Sequence, residues 1–392
     1  MSSRRRWQVA ALLVAVLASG FLLRSRLADA GGAVWDVVAG WSTRLRDLGE
    51  AEPSTEVGLR SREGESASVL LVLGSGEEDA AFALLVADPS GPPLLVVLPQ
   101  DLLLAVPGFG EFRLVDALIF GGPDLAALAV TNQFGIRIDG VSALPAGSIA
   151  RAGTGSVAVE LSAPLFVEAA DGSVSRVVPD GITEVDSDQL EALLVTEGAG
   201  DGFEWLQRQA GVWRAILDSV AADPGVADRI TAAGGAGAAD AADLLVTVAA
   251  DPEALIATVP VLGAQSVTGV DALFPAGNQA DDFVRQRLGH LLLRPEGRPR
   301  IEILNGNGRI GTTASVATIL VRDGYRLIRT DNADHFDYEE TLVVAQGDQA
   351  EQAARDIVDI LGRGLLFLEV QAPSGVVDVS IIVGHDIPSG EG

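Results

Sequence analysis

Cysteine and lysine are both absent from the 392-residue sequence, and histidine occurs only three times. Without cysteine there is no disulfide framework, no thiolate zinc site and no cysteine nucleophile. The three histidines, His290, His335 and His385, are spaced too widely to indicate a metal-binding triad. They also give no local signature of a Ser-His-Asp hydrolase. The sequence therefore excludes thiol chemistry and does not support a histidine-based active site.

Positive charge is also scarce. All 27 basic residues are arginine, and 54 acidic residues oppose them, so the formal net charge is −27. Such a field repels phosphate backbones, and we expect no nucleic-acid binding. Apolar residues make up 48% of the chain, which is enough for buried cores, and the length predicts two or three domains.

The N-terminus has the pattern of a membrane anchor. Three arginines, Arg4 to Arg6, precede an uncharged run from Trp7 to Leu23, and Arg24 follows it. A helix over this run is about 26 Å long, near the short end of what crosses a bilayer. The flanking charge predicts a single span in the plasma membrane, with the bulk of the chain outside the cytoplasm. Ala28-Asp29-Ala30 resembles a cleavage site, so a removed signal peptide is the alternative.

Shifts in composition predict the domain organisation. The clearest boundary is the segment Arg294 to Pro299, where two prolines and a glycine interrupt helix and strand alike. The predicted segments are a cytoplasmic tip with a transmembrane anchor (1–30), a juxtamembrane stalk (31–67), a first domain (68–292), a linker (293–299), a second domain (300–387) and a tail (388–392).

The first domain has an α/β pattern. Short apolar runs predict strands, whereas a three-and-four spacing of apolar residues predicts an amphipathic helix with Trp213 in the core. A central sheet flanked by helices follows. The predicted elements are strands at 69–73, 82–87 and 94–98, a helix at 123–134 ended by Gly135, a helix whose buried face carries Phe203, Leu206, Ala210, Trp213, Leu217 and Val220, and a surface loop at 231–242.

The second domain is predicted to be a smaller α/β unit of two βαβ-like halves. Its first strand is followed by a glycine-rich turn containing Asn305, Gly306, Gly308 and Gly311, and a helix begins directly afterwards. The spacing matches a dinucleotide-binding fingerprint, with Asp331 at the position of the ribose-binding acid. The domain is too short for a full dinucleotide fold, so we interpret the turn as a tight strand-to-helix connection.

Residues 301–386 resemble the LytR-type C-terminal domain of Gram-positive, and especially actinobacterial, envelope proteins. The resemblance lies in the run Ile303 to Gly308, in Gly324-Tyr325, in Asp337-Tyr338 and in Gly384-His385-Asp386. That family has no established chemistry, so the resemblance implies an extracytoplasmic binding or accessory module.

Residues 68–292 resemble a divergent LytR-CpsA-Psr domain, whose active members transfer glycopolymers from a polyprenyl pyrophosphate to peptidoglycan. The similar pieces include Leu71-Val72-Leu73-Gly74, Pro99-Gln100-Asp101, Val106-Pro107-Gly108, Gly121-Gly122-Pro123 and Gln207-Arg208-Gln209. The resemblance implies a site in which arginines and a magnesium ion hold the pyrophosphate, because planar guanidinium groups match phosphate oxygens.

The sequence lacks arginine at positions where the family pattern has it. Gln100 stands where the family has arginine, and the stretch Val195 to Gly198 also lacks one. Between residues 66 and 218 there are six arginines and 21 acidic residues. The remaining candidates are Asp101, Arg113 and Arg208 as vestigial phosphate- or lipid-binding residues. Asp79 and Asp101 are the candidates for holding a magnesium ion.

These departures predict an envelope protein without catalytic residues or a required cofactor, in effect a pseudoenzyme. Its expected partners are a polyprenyl-linked precursor held in an apolar groove, a wall polymer, or another envelope protein. An active phosphotransferase with replacement arginines is one alternative, and a structural scaffold is the other. A long apolar tunnel beneath residues 94–101 would favour lipid binding, whereas a packed interior would favour the scaffold.

Overall fold

The structure is a computed structural model that describes residues 66–74, 80–169, 171–199, 202–265, 271–369 and 375–388. The predicted anchor, the stalk up to residue 65 and Asp79 lie outside the described residues. The described chain is a mixed α/β protein with two five-stranded sheets, one on each side of the predicted linker. The expectation of an α/β fold is therefore confirmed.

The first sheet is mixed and has the strand order β11-β3-β2-β1-β6. Its three central strands are antiparallel neighbours, whereas β6 runs parallel to β1 and β11 parallel to β3. The three predicted strands are confirmed. The strands of this sheet are β1 Ala67–Gly74, β2 Ala80–Ala87, β3 Leu94–Leu98, β6 Gly140–Leu144 and β11 Leu255–Thr258.

Hairpins and helices surround this sheet. The consecutive strand pairs are β4 Leu103–Val106 with β5 Gly110–Arg113, β8 Leu165–Glu168 with β9 Val174–Val178, and β12 Val261–Gln265 with β13 Asp271–Pro275. Strands β7 Val157–Leu161 and β10 Gly181–Val185 pair antiparallel on either side of β8 and β9 in sequence. The helices are α1 Leu114–Phe134, α2 Ser148–Ala152, α3 Ser187–Val195, α4 Gly202–Ala222, α5 Gly225–Thr231, α6 Ala238–Ala250 and α7 Asn278–Arg287.

Both faces of the first sheet are buried. The side chains of β3 alternate between two apolar cores: Leu94, Val96 and Leu98 belong to one, whereas Leu95 and Val97 belong to the other. None of the five is more than 4% exposed. Helix α1 supplies one core, and helices α3 to α6 supply much of the other. A strand that is buried on both faces has apolar residues at every position, and such a continuous apolar run predicts β3 from the sequence.

Helix α1 begins earlier than predicted. The helix starts at Leu114 and is interrupted by non-helical backbone at Gly121 and Gly122. The predicted helix is its second half, and the predicted C-cap is confirmed because Gly135 has a φ of 71°. Among the described residues, α1 alone combines the length and apolar character needed to cross a membrane, but it is a largely buried core helix.

Two predictions about the first domain need correction. Helix α4 exists and Trp213 is buried, but the buried face also carries Trp205 and the polar Arg208, while Phe203 is exposed. The segment 231–242 is not a surface loop. It contains a short 3₁₀ turn and the buried start of α6. Its small residues let it approach β6, since a Cβ on Gly237 would lie 2.3 Å from the carbonyl oxygen of Val141.

The second sheet has the strand order β15-β14-β18-β16-β17. Its two βαβ halves, β14-α8-β15 and β16-α9-β17, each join parallel strands, as predicted. Strand β18 completes the sheet between them and is antiparallel to β16. The elements are β14 Arg300–Asn305, α8 Thr312–Arg322, β15 Arg326–Asn332, β16 Leu342–Gln346, α9 Glu351–Leu361, β17 Leu365–Glu369 and β18 Val379–Val383.

Buried polar contacts join the two sheets. The amide of Asn132 on α1 donates to Leu327 O at 3.0 Å and accepts from Leu327 N at 2.9 Å. In the predicted linker, Arg298 donates to carbonyl oxygens of Asn132 and Tyr325. Burial lowers the pKa of Arg298 to about 10, with a smaller effect of the Arg326 charge. Because these contacts join the parts of the chain before and after residues 293–299, the domain boundary at that segment stays a prediction.

Candidate functional site

The candidate site lies where β3 ends and α1 begins. Strand β3 is followed by Gln100 and Asp101, and the β4–β5 hairpin returns the chain to Arg113. Arg113 is the residue before the first turn of α1. Its backbone N–H donates to the side chain of Asp116, which forms a capping box at the N-terminus of the helix. The sequence thus places Asp101, Arg113 and Asp116 together through one hairpin and one helix cap.

Arg113 binds two carboxylates of its own chain. Its Nη1 lies 3.1 Å from Asp101 Oδ1. Its Nε and Nη2 contact the two oxygens of Asp116, at 3.2 and 3.0 Å. The hydrogen bond to Asp116, opposed by partial burial, raises the pKa of Arg113. This guanidinium is therefore already neutralised and has little capacity left for an external anion.

Glu197 is the third carboxyl group of the site. It follows α3 in the loop before α4, and its Oε2 lies 3.4 Å from Nε2 of Gln100. The Oε1 of Gln100 accepts from Ala80 N at 2.9 Å, which fixes the amide. Burial raises the pKa of Glu197 to about 8, and a hydrogen bond with Asp101 adds to the shift. The raised pKa favours the protonated form of Glu197 at neutral pH.

Arg208 does not reach this cluster with its guanidinium. The side chain is 1% exposed and donates to carbonyl oxygens of Pro164, Thr196 and Glu197 at 3.1, 3.3 and 2.8 Å. Its Nε has no hydrogen-bond partner among the described residues. Burial lowers the pKa of Arg208, partly opposed by nearby carboxylates. In this structure Arg208 holds the loop that carries Glu197, so it acts on the site through the backbone.

The magnesium site predicted at Asp79 and Asp101 stays a prediction. Asp101 is engaged by the Arg113 guanidinium and by Glu197, so a divalent cation there would lie beside a fixed positive charge. No group of three or more His, Asp or Glu side chains in the described ranges is arranged to hold a metal. Asp79, the other predicted ligand, lies outside the described residues.

The space beneath residues 94–101 is filled by side chains. Two surface cavities of about 330 and 460 Å³ lie elsewhere. The first is lined by Val72, Gly74 and Leu144 at the ends of β1 and β6 and by Leu118 and Pro123 of α1. The second lies between β11 and α7. Neither of these two cavities is lined by the Gln100–Glu197 cluster.

The glycine-rich turn of the second domain is filled by its own side chains. Asn305 Oδ1 accepts from the backbone N–H groups of Asn307 and Gly308, the groups a phosphate would need. A Cβ on Gly306 would lie 2.8 Å from both Ile382 and Tyr338. Gly308 and Gly311 have φ values of 68° and 86°. The glycines therefore serve close packing and turn geometry, as interpreted from the sequence.

Sequence reasoning missed Glu197 and Asp116 as members of the cluster. Asp116 could have been found, because an acid three residues after Arg113 has the spacing of a capping box. The sequence pattern indicated only that the stretch containing Glu197 lacks an arginine, and it did not predict a role for Glu197 itself. Its contact with Gln100 joins residues 97 positions apart, and no local pattern predicts such a contact.

The arrangement defines a class of protein: a mixed α/β fold with an arginine-poor, carboxyl-rich site and a small C-terminal α/β unit. Residues 298–386 match the family described as "LytR cell envelope-related transcriptional attenuator". A second match is to the "Probable cell wall biosynthesis protein LcpB" of Corynebacterium glutamicum, 28% identical over 130 residues. It covers 29% of this chain and 31% of that relative.

Two solved structures are also similar. Bacillus subtilis TagV matches with a TM-score of 0.44 and 15% identity, over 58% of this chain and 98% of that one. A LytR-Csp2A-Psr enzyme from Actinomyces oris matches with a TM-score of 0.43 and 17% identity, over 57% and 89%. The sequence matches thus make residues 298–386 similar to the LytR C-terminal family, and they make 29% of the chain similar to a cell wall biosynthesis protein.

Proposed function

We propose that this protein works in cell-envelope assembly as a noncatalytic relative of the wall-polymer transferases, anchored in the plasma membrane with its folded part outside. It binds a wall polymer or an envelope partner and does not transfer a glycopolymer. The observation that supports this proposal is the charge of the cluster: Asp101, Asp116 and Glu197 surround the single guanidinium of Arg113.

The charge balance opposes a pyrophosphate group. With Glu197 protonated, the four groups sum to −1, and with Glu197 ionised they sum to −2. A pyrophosphate would bring further negative charge into a partly buried site, where repulsion is stronger than in water. Loss of one charged hydrogen bond to a transferring phosphoryl group costs on the order of a hundredfold in rate, and this site has no uncommitted guanidinium among its described residues.

The proposal is tested with the full-length chain in lipid nanodiscs, supplied with a polyprenyl-pyrophosphate-linked glycan, a wall acceptor and Mg²⁺. We expect no release of polyprenyl phosphate above the rate without protein. Release that Asp101→Asn abolishes would establish the phosphotransferase alternative, in which other residues supply the positive charge.

A scaffold role is the second candidate. It is favoured by the packing of β3, whose side chains Leu94 to Leu98 are buried in the two apolar cores. Photo-crosslinking of the full-length chain in membranes distinguishes the two. Capture of a wall polymer supports the polymer-binding proposal, and capture of envelope proteins alone supports the scaffold.

A further inference from the structure

The β4–β5 hairpin joins two residues of the candidate site, since it begins just after Asp101 and ends at Arg113. Among the described strands, β4 and β5 pair only with each other. A two-stranded hairpin is marginally stable by itself in water, so the segments packed against it decide its conformation. Those segments therefore also decide where Arg113 lies relative to Asp101.

The first domain holds the base of this hairpin. At the start of α1, Leu114 N donates to Leu102 O at 2.8 Å. The next amide, Val115 N, donates to Gln100 O at 3.0 Å. These two bonds tie the start of the helix to the segment that carries Asp101. Their protons exchange with solvent when the base of the hairpin opens, so their exchange rates report on the geometry of the site.

The second domain holds the middle of the hairpin through Asn132, a residue of α1 that is only 2% exposed. Its Nδ2 donates to Ala105 O on β4 at 3.1 Å and to Leu327 O on β15 at 3.0 Å. Its Oδ1 accepts from Leu327 N at 2.9 Å. A side-chain amide has two N–H donors, and both are used here. One side chain therefore bonds the hairpin and the second sheet at the same time.

The tip of the hairpin lies against the first turn of α8. Gly108 has a φ of 86°, and a Cβ there would lie 2.8 Å from the Cβ of Ala314. Leu104 and Val106 on β4 belong to the same apolar core as Val316 on α8. The middle and the tip of the hairpin are thus both held by the second domain, whereas the charged residues lie at its base.

We propose that the second domain restrains the β4–β5 hairpin and thereby sets the position of Arg113 relative to Asp101. Asn132 and Ala314 are positioning residues, because they act on the site through the hairpin. A partner that moves α8 or β15 away from the hairpin would loosen the site, so the second domain transmits a binding event to the first. This restraint acts whether or not the cluster binds a wall polymer, and it therefore goes beyond the proposed function.

Hydrogen exchange of the full-length chain in detergent micelles, followed by mass spectrometry, tests the restraint. Asn132→Leu keeps the side-chain volume and removes all three hydrogen bonds of the amide. We expect exchange in peptides spanning residues 102–115 to become at least about tenfold faster, while peptides from β1 keep their wild-type rates. Unchanged exchange at 102–115, or an increase shared equally by β1, would contradict the proposal.

The matched control for Asn132→Leu removes hydrogen bonds that lie within the second sheet. The buried Ser380 donates to Glu302 and accepts from Gln346, and neither bond reaches the hairpin. Ser380→Ala should therefore leave exchange at 102–115 at the wild-type rate. The same acceleration in both variants would show that the hairpin responds to any weakening of the second domain, and the specific role of Asn132 would be wrong.

Two glycines of the hairpin provide a second test. Gly108→Ala sets a methyl group against Ala314, and we expect severalfold faster exchange at 102–115. Ala314→Gly removes the opposing methyl group, so it should reverse part of this increase. Gly110 has a φ of 107°, and a Cβ there would meet only Phe112, at 3.9 Å. Ala314→Gly should therefore not rescue Gly110→Ala. Rescue of neither or of both would overturn the contact with α8.

The ion pair itself gives the last readout. Its coupling free energy is measured from the stabilities of Asp101→Asn, Arg113→Gln and the double variant. We expect this coupling to fall by at least about half when Asn132→Leu is also present, because the hairpin no longer holds the two side chains together. In the Ser380→Ala background the coupling should keep its wild-type value. Full coupling in the Asn132→Leu background would contradict a positioning role.

Discussion

The two five-stranded sheets of this protein expose opposite kinds of groups. The first is buried on both faces, and charged side chains gather where β3 ends, one arginine among three carboxyl groups. The second ends in an apolar edge strand, β17, with Leu365 and Phe367 nearly half exposed. The first sheet therefore carries a site at which carboxyl groups outnumber guanidinium groups among the described residues, whereas the second offers an apolar contact surface.

The comparison shows that fold and chemistry depend on different residues. The first sheet is stabilised by many buried apolar side chains, of which Leu94 to Leu98 are examples, and it tolerates changes at a few charged positions. Pyrophosphate binding depends on those few positions. Gln100 contributes no charge, and Glu197 adds a carboxyl group beside Asp101. Function must therefore be argued from the site.

The largest expected effect comes from Arg208, because it stabilises the loop of the first domain that carries Glu197. Arg208→Met leaves the carbonyls of Pro164, Thr196 and Glu197 without their donor inside the protein. We expect the free energy of unfolding to fall by roughly 3–5 kcal/mol. Chemical denaturation of the full-length chain measures it.

Arg214 on the same helix is the matched control. Its side chain is exposed, so Arg214→Met should change the free energy of unfolding by no more than about 0.5 kcal/mol. Equal losses for the two variants would show that the buried Arg208 contributes no more to stability than the exposed Arg214.

A smaller effect is expected from the pH dependence of the first domain. The pKa of Glu197 rises from an ordinary 4.5 to about 8 in the folded protein, first through burial and then through Asp101. Between these two values the folded chain holds a proton that the unfolded chain has released. Stability therefore falls as the pH rises through this window and levels off above it.

Glu197→Gln should remove that dependence, because the amide mimics the protonated carboxyl group. After allowance for partial solvent exposure, the variant should be about 1–2 kcal/mol more stable than the wild type at pH 9 and nearly equal to it at pH 5. Denaturation curves at each pH provide the measurement, with the exposed Glu160→Gln as control. A parallel pH profile for wild type and Glu197→Gln would contradict the raised pKa of Glu197.

Much of the fold was predictable, since strands buried on both faces and βαβ halves leave strong local patterns. Strand β3 and both halves of the second domain were located from apolar runs and turn residues. The first half of α1 was missed because Gly121 and Gly122 interrupt its pattern, and the start of α6 was missed because small residues resemble a loop. Close backbone approach at Gly237 explains those residues, and it depends on tertiary structure.

The site was predictable only in part. Asp101 and Arg113 were identified from the family resemblance, and the structure brings them together at 3.1 Å. Arg208 contacts Pro164 and Glu197 contacts Gln100 across distant segments, and no local pattern predicts those contacts. The phosphate- or lipid-binding role of Arg208 stays a prediction. The magnesium prediction for Asp79 and Asp101 stays a prediction.

Calorimetric titration of the full-length protein with inorganic pyrophosphate and Mg²⁺ at pH 7.5 tests the central claim most directly. We expect no saturable binding below about 1 mM, because the Arg113 guanidinium is neutralised by Asp101 and Asp116. Binding in the micromolar range that Arg113→Ala abolishes would contradict it.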